Sequence, residues 1–164
     1  MISADDIAAK LQDAGYEAIE AGLSEVPQAM LQFHGDEPPA FCDALRRPYM
    51  RAVAMKKGID LLDWAQRYRQ AAALLLDAPQ KGFGGGGKVF NWSLAHTTGV
   101  LTPLVLSGGL SAANVIDGVI ELRPFAVDVS SGVERSKGVK DPVLIRQFCE
   151  AVREADARIA DSGA

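Results

Sequence analysis

The stretch that decides the fold is LVLSGGL, which runs from Leu104 to Leu110. It is an apolar run that ends in serine and glycine, and two runs of the same form flank it. LLLD ends at Asp77, and FAVDVSSGVE extends from Phe125 to Glu134. Parallel strands that are buried on both faces have this form, because their C-terminal ends deliver small, polar or acidic residues to a site. The three segments therefore predict parallel strands that share one functional edge.

Strand and helix patterns alternate through the rest of the chain. Strands are predicted at 29–33, 50–55, 72–77, 104–107 and 125–129. Helices are predicted at 38–47, 59–69, 111–119 (with Ser111 as N-cap) and 141–159, together with a short helix from about Asn91. Five successive βα units imply a parallel sheet with right-handed crossovers, either a doubly wound open sheet or part of a (β/α)8 barrel.

Polar residues at almost every strand end favour the barrel, so we expect an α/β protein of the (β/α)8 TIM-barrel class with about five parallel strands. We predict one partial-barrel domain over residues 1–164. In it, residues 1–28 form a helical N-terminal segment, and residues 29–164 form the five βα units.

Composition and charge limit the classes of partner. The chain is 48% apolar and 23% charged, with a net charge of −4 and a sequence pI near 5.2. An acidic chain without basic clusters argues against a nucleic-acid surface or an anionic membrane. No apolar run reaches the roughly 18 residues of a membrane span, so we expect a cytoplasmic protein. Cys42 and Cys149 lack CxxC spacing and are expected to be packing residues, and His34 and His96 do not form a zinc motif.

A glycine-rich loop, Gly82 to Gly87 followed by Lys88, matches two nucleotide-binding motifs in part. GxGxxG requires an early strand and a long following helix, but this loop lies late in the chain and precedes a short one. A P-loop requires a hydroxyl after the lysine to bind Mg²⁺, and Val89 stands there. Two interpretations remain open: a simple connection, or a mobile lid over substrate whose Lys88 adds positive charge.

The strand-end residues suggest acid chemistry beside a phosphate. Asp77 emerges from an apolar strand and is a candidate general acid, although an aspartate that only caps a loop is the alternative. The segments Ser107-Gly108-Gly109 and Ser130-Ser131-Gly132 follow consecutive strands and can present backbone N–H groups to a phosphate. Loops after the last two strands hold phosphate in many (β/α)8 enzymes.

Together these segments resemble the phosphoribosylanthranilate isomerase family. The resemblance covers residues 29–151. It is carried by LQFHGDE from Leu31, by Asp77 with GFGGGGKVFNW from Gly82, by LSGGL from Leu106, and by VDVSSGVE from Val127, with GVKD after it.

The resemblance implies a (β/α)8 isomerase of tryptophan biosynthesis that performs an Amadori rearrangement without a cofactor or a metal. Asp77 matches the general acid, and Asp128, His34 and Lys88 match substrate-binding positions. The phosphate site matches Ser107, Gly108, Gly109, Ser130, Ser131 and Gly132. The implied partner is the small phosphorylated substrate phosphoribosylanthranilate, with neither a nucleic acid nor a membrane.

The sequence departs from the family pattern at its N-terminal side. Family members begin with a K-x-C-G strand whose cysteine is the general base, followed by two further βα units, and these segments are not found here. Cys42 and Cys149 match helix positions and do not replace that base. Five strands cannot close an eight-stranded barrel, so we expect impaired activity of the isolated chain and possible self-association through open barrel edges. A non-catalytic phosphate-binding or half-barrel assembly module is the alternative, and indole-glycerol-phosphate synthase is disfavoured because its early lysines are not seen.

Overall fold

The computed structural model of the protein describes residues 23–79, 89–96 and 99–163. Residues 23–25 are helical. Residues 26–28 belong to the predicted helical segment but are not helical. The predictions for residues 1–22 and for the glycine loop with Lys88 lie outside the described residues. The prediction of one domain over 1–164 stays a prediction.

The described elements alternate as the sequence indicates. In chain order, they are β1 (Leu31–Phe33), α1 (Pro39–Ala44), β2 (Tyr49–Ala54), α2 (Leu61–Arg67), β3 (Ala73–Asp77), a 3₁₀ turn (Trp92–Ala95), β4 (Leu104–Leu106), α3 (Val115–Leu122), β5 (Ala126–Val127), a second 3₁₀ turn (Ser131–Val133), β6 (Glu134–Ser136), β7 (Val139–Lys140) and α4 (Pro142–Ser162).

Five of the strands form one parallel sheet in the order β1-β2-β3-β4-β5. A doubly wound sheet would reverse its strand order at a switch point, whereas a barrel keeps chain order. The observed order therefore selects the (β/α)8-barrel class over the open sheet. All five C-terminal strand ends lie on the same edge.

The central strands are buried on both faces, as their apolar runs predict. Leu74 and Leu76 of β3 belong to the main core cluster, which includes buried side chains of α2, α3 and α4. The residue between them, Leu75, faces the other side and packs in a second cluster with Ala52 and Val105. Because successive strand residues point to opposite faces, this alternation gives the sheet two apolar sides.

Two helix starts are set by aspartate caps. The Asp60 side chain accepts hydrogen bonds from the first-turn backbone of α2, and Asp141 does the same for α4. Each cap satisfies N–H groups that the helix leaves without partners. The prediction of Ser111 as the cap of α3 is wrong, because a turn precedes the helix and Asn114 is its N-cap.

A hairpin follows the last parallel strand and was not predicted from the sequence. Strands β6 and β7 pair in antiparallel fashion, with Gly138 at a φ of 79° between them. Positive φ favours glycine, which fits this tight connection. The hairpin lies between the second 3₁₀ turn and α4, and it contacts the loop after β5 through Lys140.

Candidate active site

Asp77 is the last residue of β3 and lies at the centre of the functional edge. Its backbone is fixed on both sides, because Met55 N–H donates to the Asp77 carbonyl (2.8 Å) and Ser107 N–H donates to the Leu76 carbonyl (2.9 Å). The residue is only 8% exposed. A carboxyl group held in this way at a strand end has little freedom to move, which is what positioned proton transfer requires.

Each carboxylate oxygen of Asp77 has a neighbour. Oδ1 accepts a hydrogen bond from the Ala78 backbone N–H (2.8 Å). Oδ2 lies 3.2 Å from Nε2 of His34, which follows β1. The Gln32 amide nitrogen lies 3.1 Å from His34 Nδ1, so an amide that donates to Nδ1 leaves the ring proton on Nε2, facing Asp77. The predicted acid and a predicted substrate-binding residue are therefore brought together.

The loop after β4 passes directly over Asp77. Gly108 has a φ of +77°, and a Cβ built on it would lie 2.5 Å from Asp77 Oδ1. Gly109 also has a positive φ, of 68°. Asn114 fixes the far side of the loop, since its side chain donates to the Gly109 carbonyl (3.0 Å) and accepts from the Ser111 backbone N–H (2.9 Å). Asn114 therefore stabilises the loop after β4 in addition to being the N-cap of α3.

The loop after β5 packs against the loop after β4. Ser107 Oγ donates to Asp128 Oδ2 (3.0 Å), and Asp128 N–H continues the ladder to the Leu106 carbonyl (2.8 Å). A Cβ on Gly132 would lie 1.8 Å from the Leu110 carbonyl oxygen. Glycine at this position therefore permits the two loops to touch, and the predicted phosphate segments form one continuous surface.

Lys140 ties the hairpin to this surface. Its Nζ donates to the Ser130 carbonyl (2.8 Å) and to Glu134 Oε1 (2.8 Å), and it lies 3.3 Å from Ser130 Oγ. Hydrogen bonds from Lys140 and from the Gly138 N–H hold the pKa of Glu134 below its usual value. In the sequence, Lys140 is notable only as part of the GVKD motif, and the sequence pattern around it does not indicate this contact.

The cysteines lie on helices, and neither is at a strand end. Cys42 of α1 is fully buried among aromatic side chains, and burial raises the pKa of its thiol to about 11. It is a packing residue, as expected. Cys149 of α4 is exposed, so the same expectation is wrong for it. Both thiols are free.

Two further findings concern the described part of the chain. Over residues 23–79, 89–96 and 99–163, no three histidine, cysteine, aspartate or glutamate side chains are grouped as a metal site would require. None of the helices in these ranges combines the length and the hydrophobicity of a membrane span.

A barrel-type sheet with an aspartate and two glycine-rich loops on its C-terminal edge is typical of (β/α)8 enzymes, many of which bind phosphate at that edge. The model of the N-(5'-phosphoribosyl)anthranilate (PRA) isomerase family matches residues 6–151. The chain belongs to this family, and the resemblance seen in its motifs is confirmed.

Similar proteins agree with this assignment. The N-(5'-phosphoribosyl)anthranilate isomerase of Methylibium petroleiphilum is 62% identical over 150 residues, which cover 92% of this chain and 70% of the relative. That of Leptothrix cholodnii is 59% identical, with 92% and 68% covered. The crystal structure of the Thermotoga maritima enzyme superposes with a TM-score of 0.73 at 39% identity, covering 84% of this chain and 68% of that one.

A further solved structure is that of a phosphoribosyl anthranilate isomerase in complex with reduced 1-(o-carboxyphenylamino)-1-deoxyribulose 5-phosphate. It superposes with a TM-score of 0.69 at 36% identity, covering 84% of this chain and 66% of that chain. That relative therefore binds a phosphorylated compound.

Proposed function

We propose that this chain uses Asp77 as the general acid in the isomerisation of N-(5'-phosphoribosyl)anthranilate to 1-(o-carboxyphenylamino)-1-deoxyribulose 5-phosphate. The observation that carries the proposal is the placement of Asp77 between His34 and the loop after β4. The reaction is an internal rearrangement that needs one proton donated to the ring oxygen and one removed from C2, with no net change in atoms. Proton transfer by positioned side chains therefore suffices.

Asp77 protonates the furanose ring oxygen. As the C1–O bond breaks, the bonding electrons stay on the oxygen, and the amine nitrogen stabilises C1 as an iminium. His34 Nε2, 3.2 Å from Asp77 Oδ2, holds the carboxyl group in place and contacts the substrate beside it. General acid catalysis of this kind contributes about 10² to 10⁴-fold in rate.

The phosphate is held by the loops after β4 and β5. Residues 108–109 and 130–132 offer backbone N–H and hydroxyl groups, whereas Ser107 N–H and Ser107 Oγ already donate to Leu76 and Asp128. The missing Cβ at Gly132 leaves room for the Leu110 carbonyl, so the two loops can lie side by side. Asp128, whose Oδ2 accepts a hydrogen bond from Ser107 Oγ, accepts the substrate amine N–H in this proposal. Lys88 is assigned a substrate contact on the resemblance alone.

The base that removes the C2 proton is not assigned to a described residue. Cys42 is buried on α1, and Cys149 lies on the exposed part of α4. The proposal for the described residues therefore concerns the acid and phosphate parts of the site, and the experiment separates binding from turnover.

The test measures analogue binding and turnover on the same purified chain. The probe is reduced 1-(o-carboxyphenylamino)-1-deoxyribulose 5-phosphate, titrated by calorimetry, and turnover is followed as consumption of phosphoribosylanthranilate. We expect binding in the wild-type chain and a loss of at least 100-fold in kcat for Asp77→Asn. Asp63→Asn is the matched control, because Asp63 lies on α2 in a surface pair with Arg67.

Four outcomes are distinct. Binding with turnover that depends on Asp77 supports the whole proposal. Binding without turnover supports a phosphate-binding module and refutes catalysis by this chain. Absence of binding refutes the phosphate assignment, and equal turnover in Asp77→Asn and Asp63→Asn refutes the acid assignment.

A further inference from the structure

Two charged side chains are buried within the described part of the chain, Arg51 and Asp77. Burying a charge is costly unless it is paired and hydrogen-bonded, so a buried charge needs a reason. Asp77 has one in the proposed chemistry. Arg51 lies in the middle of β2, in a strand that is otherwise apolar, and neither the family motifs nor the proposed mechanism assigns it a task.

The guanidinium of Arg51 is directed at the loop after β1. Nη1 donates to the Phe33 carbonyl (2.9 Å) and to Glu37 Oε2 (3.1 Å), and Nη2 donates to the Gly35 carbonyl (2.5 Å). These acceptors lie on both sides of His34. Arg51 Nε is buried with no partner among the described residues. The hydrogen bonds of the guanidinium in the described part of the chain therefore all go to this loop.

Aromatic rings support the guanidinium from α2. Arg51 Cζ lies 5.4 Å from the ring centre of Trp64 and 5.1 Å from that of Tyr68. The two rings are stacked, with centroids 5.3 Å apart. Tyr68 also donates its hydroxyl hydrogen to the Glu37 carbonyl (2.9 Å), so the same aromatic pair contacts both Arg51 and the loop.

We propose that Arg51 is a positioning residue of the isomerase site, whose buried guanidinium fixes the loop 33–37 so that His34 stays against Asp77. A planar fork that binds two backbone carbonyls and a carboxylate sets the orientation as well as the distance of the loop, which a lysine cannot do. Arg51 touches neither substrate nor Asp77 and acts only through His34. Its link to catalysis rests on the proposed function, and its link to His34 does not.

The chain contains two histidines, so His34 can be observed directly with His96 as an internal reference. In spectra of the full chain with ¹⁵N-labelled histidine, Arg51→Met is expected to move the ring resonances of His34 and to leave those of His96 in place. The kcat is expected to fall about 10 to 100-fold with a small change in KM, because a displacement near 1 Å costs up to about 100-fold. Affinity for inorganic phosphate is expected to stay within twofold, since the phosphate loops lie on other strands.

Arg67→Met is the matched control. Arg67 lies over the same two rings, with Cζ 5.4 Å from Trp64 and 5.7 Å from Tyr68, but its ion pair is with Asp63 on the helix surface. It is expected to leave the His34 resonances and kcat unchanged. An equal effect of Arg67→Met and Arg51→Met would show that only the packing of α2 matters, and it would overturn the proposal.

Arg51→Lys keeps the positive charge but removes the planar guanidinium. It provides a second test in case Arg51→Met does not fold. Displaced His34 resonances in a folded Arg51→Lys chain support the proposal, and wild-type resonances overturn it whether or not Arg51→Met folds. If the wild-type chain has no turnover but His34 still moves in the variants, the proposed function fails while the positioning role stands. If kcat falls without any movement of His34, the positioning role fails.

Discussion

Substitution of Gly108 by alanine tests how closely the loop after β4 approaches the acid. At Gly108 the φ is +77°, and a new Cβ would lie 2.3 Å from the Ala78 nitrogen and 2.5 Å from Asp77 Oδ1. Positive φ costs a residue with a Cβ about 1 to 2 kcal/mol. Crowding against fixed atoms adds about 1 to 3 kcal/mol. We expect Gly108→Ala to lower the free energy of unfolding by about 2 to 5 kcal/mol.

Gly58 provides the matched control, because its φ is +86° and a Cβ there would meet nothing within 4 Å. Gly58→Ala should show only the backbone cost, about 1 to 2 kcal/mol. Urea unfolding of both variants measures the difference. Gly108→Ala should also displace Asp77 and reduce turnover, while Gly58→Ala should not. Equal losses of stability in the two variants would refute the close approach.

Three further predictions concern the thiols, the hairpin and the loop contact. Iodoacetamide at pH 8 should alkylate exposed Cys149 and spare Cys42 in the folded chain, because burial raises the pKa of the Cys42 thiol to about 11. Labelling is measured by mass spectrometry, and labelling of both thiols would contradict the buried position of Cys42. Because the pKa of Glu134 is lowered in the folded chain, its ionised form adds to the free energy of unfolding above the ordinary pKa near 4.5, and this contribution is lost as the pH falls through the folded pKa. Glu134→Gln should therefore reduce the loss of stability on the acid side, measured by urea titrations at pH 3 to 6. An unchanged pH profile would count against the contact with Lys140. Gly132→Ala should weaken phosphate affinity by pushing the two loops apart, since its Cβ would lie 1.8 Å from a carbonyl oxygen, and calorimetry showing wild-type affinity would refute this.

The order and type of the parallel elements could be predicted from the sequence, because periodicity reports burial directly. The run before Asp77 is apolar at every position, and all five residues of β3, Asp77 included, are buried. The extent of β5 could not be predicted in the same way. Its ladder has two pairs, Ala126 with Val105 and Val127 with Leu106, and the extent of pairing depends on a partner strand that the local pattern does not show.

The site residues that lie at or just after strand ends could be predicted from the sequence. The residues whose roles depend on contacts between distant parts of the chain could not. His34, Asp77 and the two serine-glycine segments follow strands and were singled out. The tasks of Asn114, Lys140 and Arg51 depend on which loop each side chain reaches. The available signal for Arg51 is the charge itself, since an arginine inside an apolar strand indicates a buried partner.

Because the strands lie in chain order, the distance between two residues on the functional edge can be read from the number of strands between them. Neighbouring strands are about 4.8 Å apart, so β1 and β5 are separated by roughly 19 Å measured along the sheet. On the proposed function, a ligand whose phosphate lies between β4 and β5 extends across the strands towards Asp77 at the end of β3 and His34 after β1. The distance between the proposed phosphate site and the proposed acid is therefore set by how many strands separate them, and not by the length of any one loop.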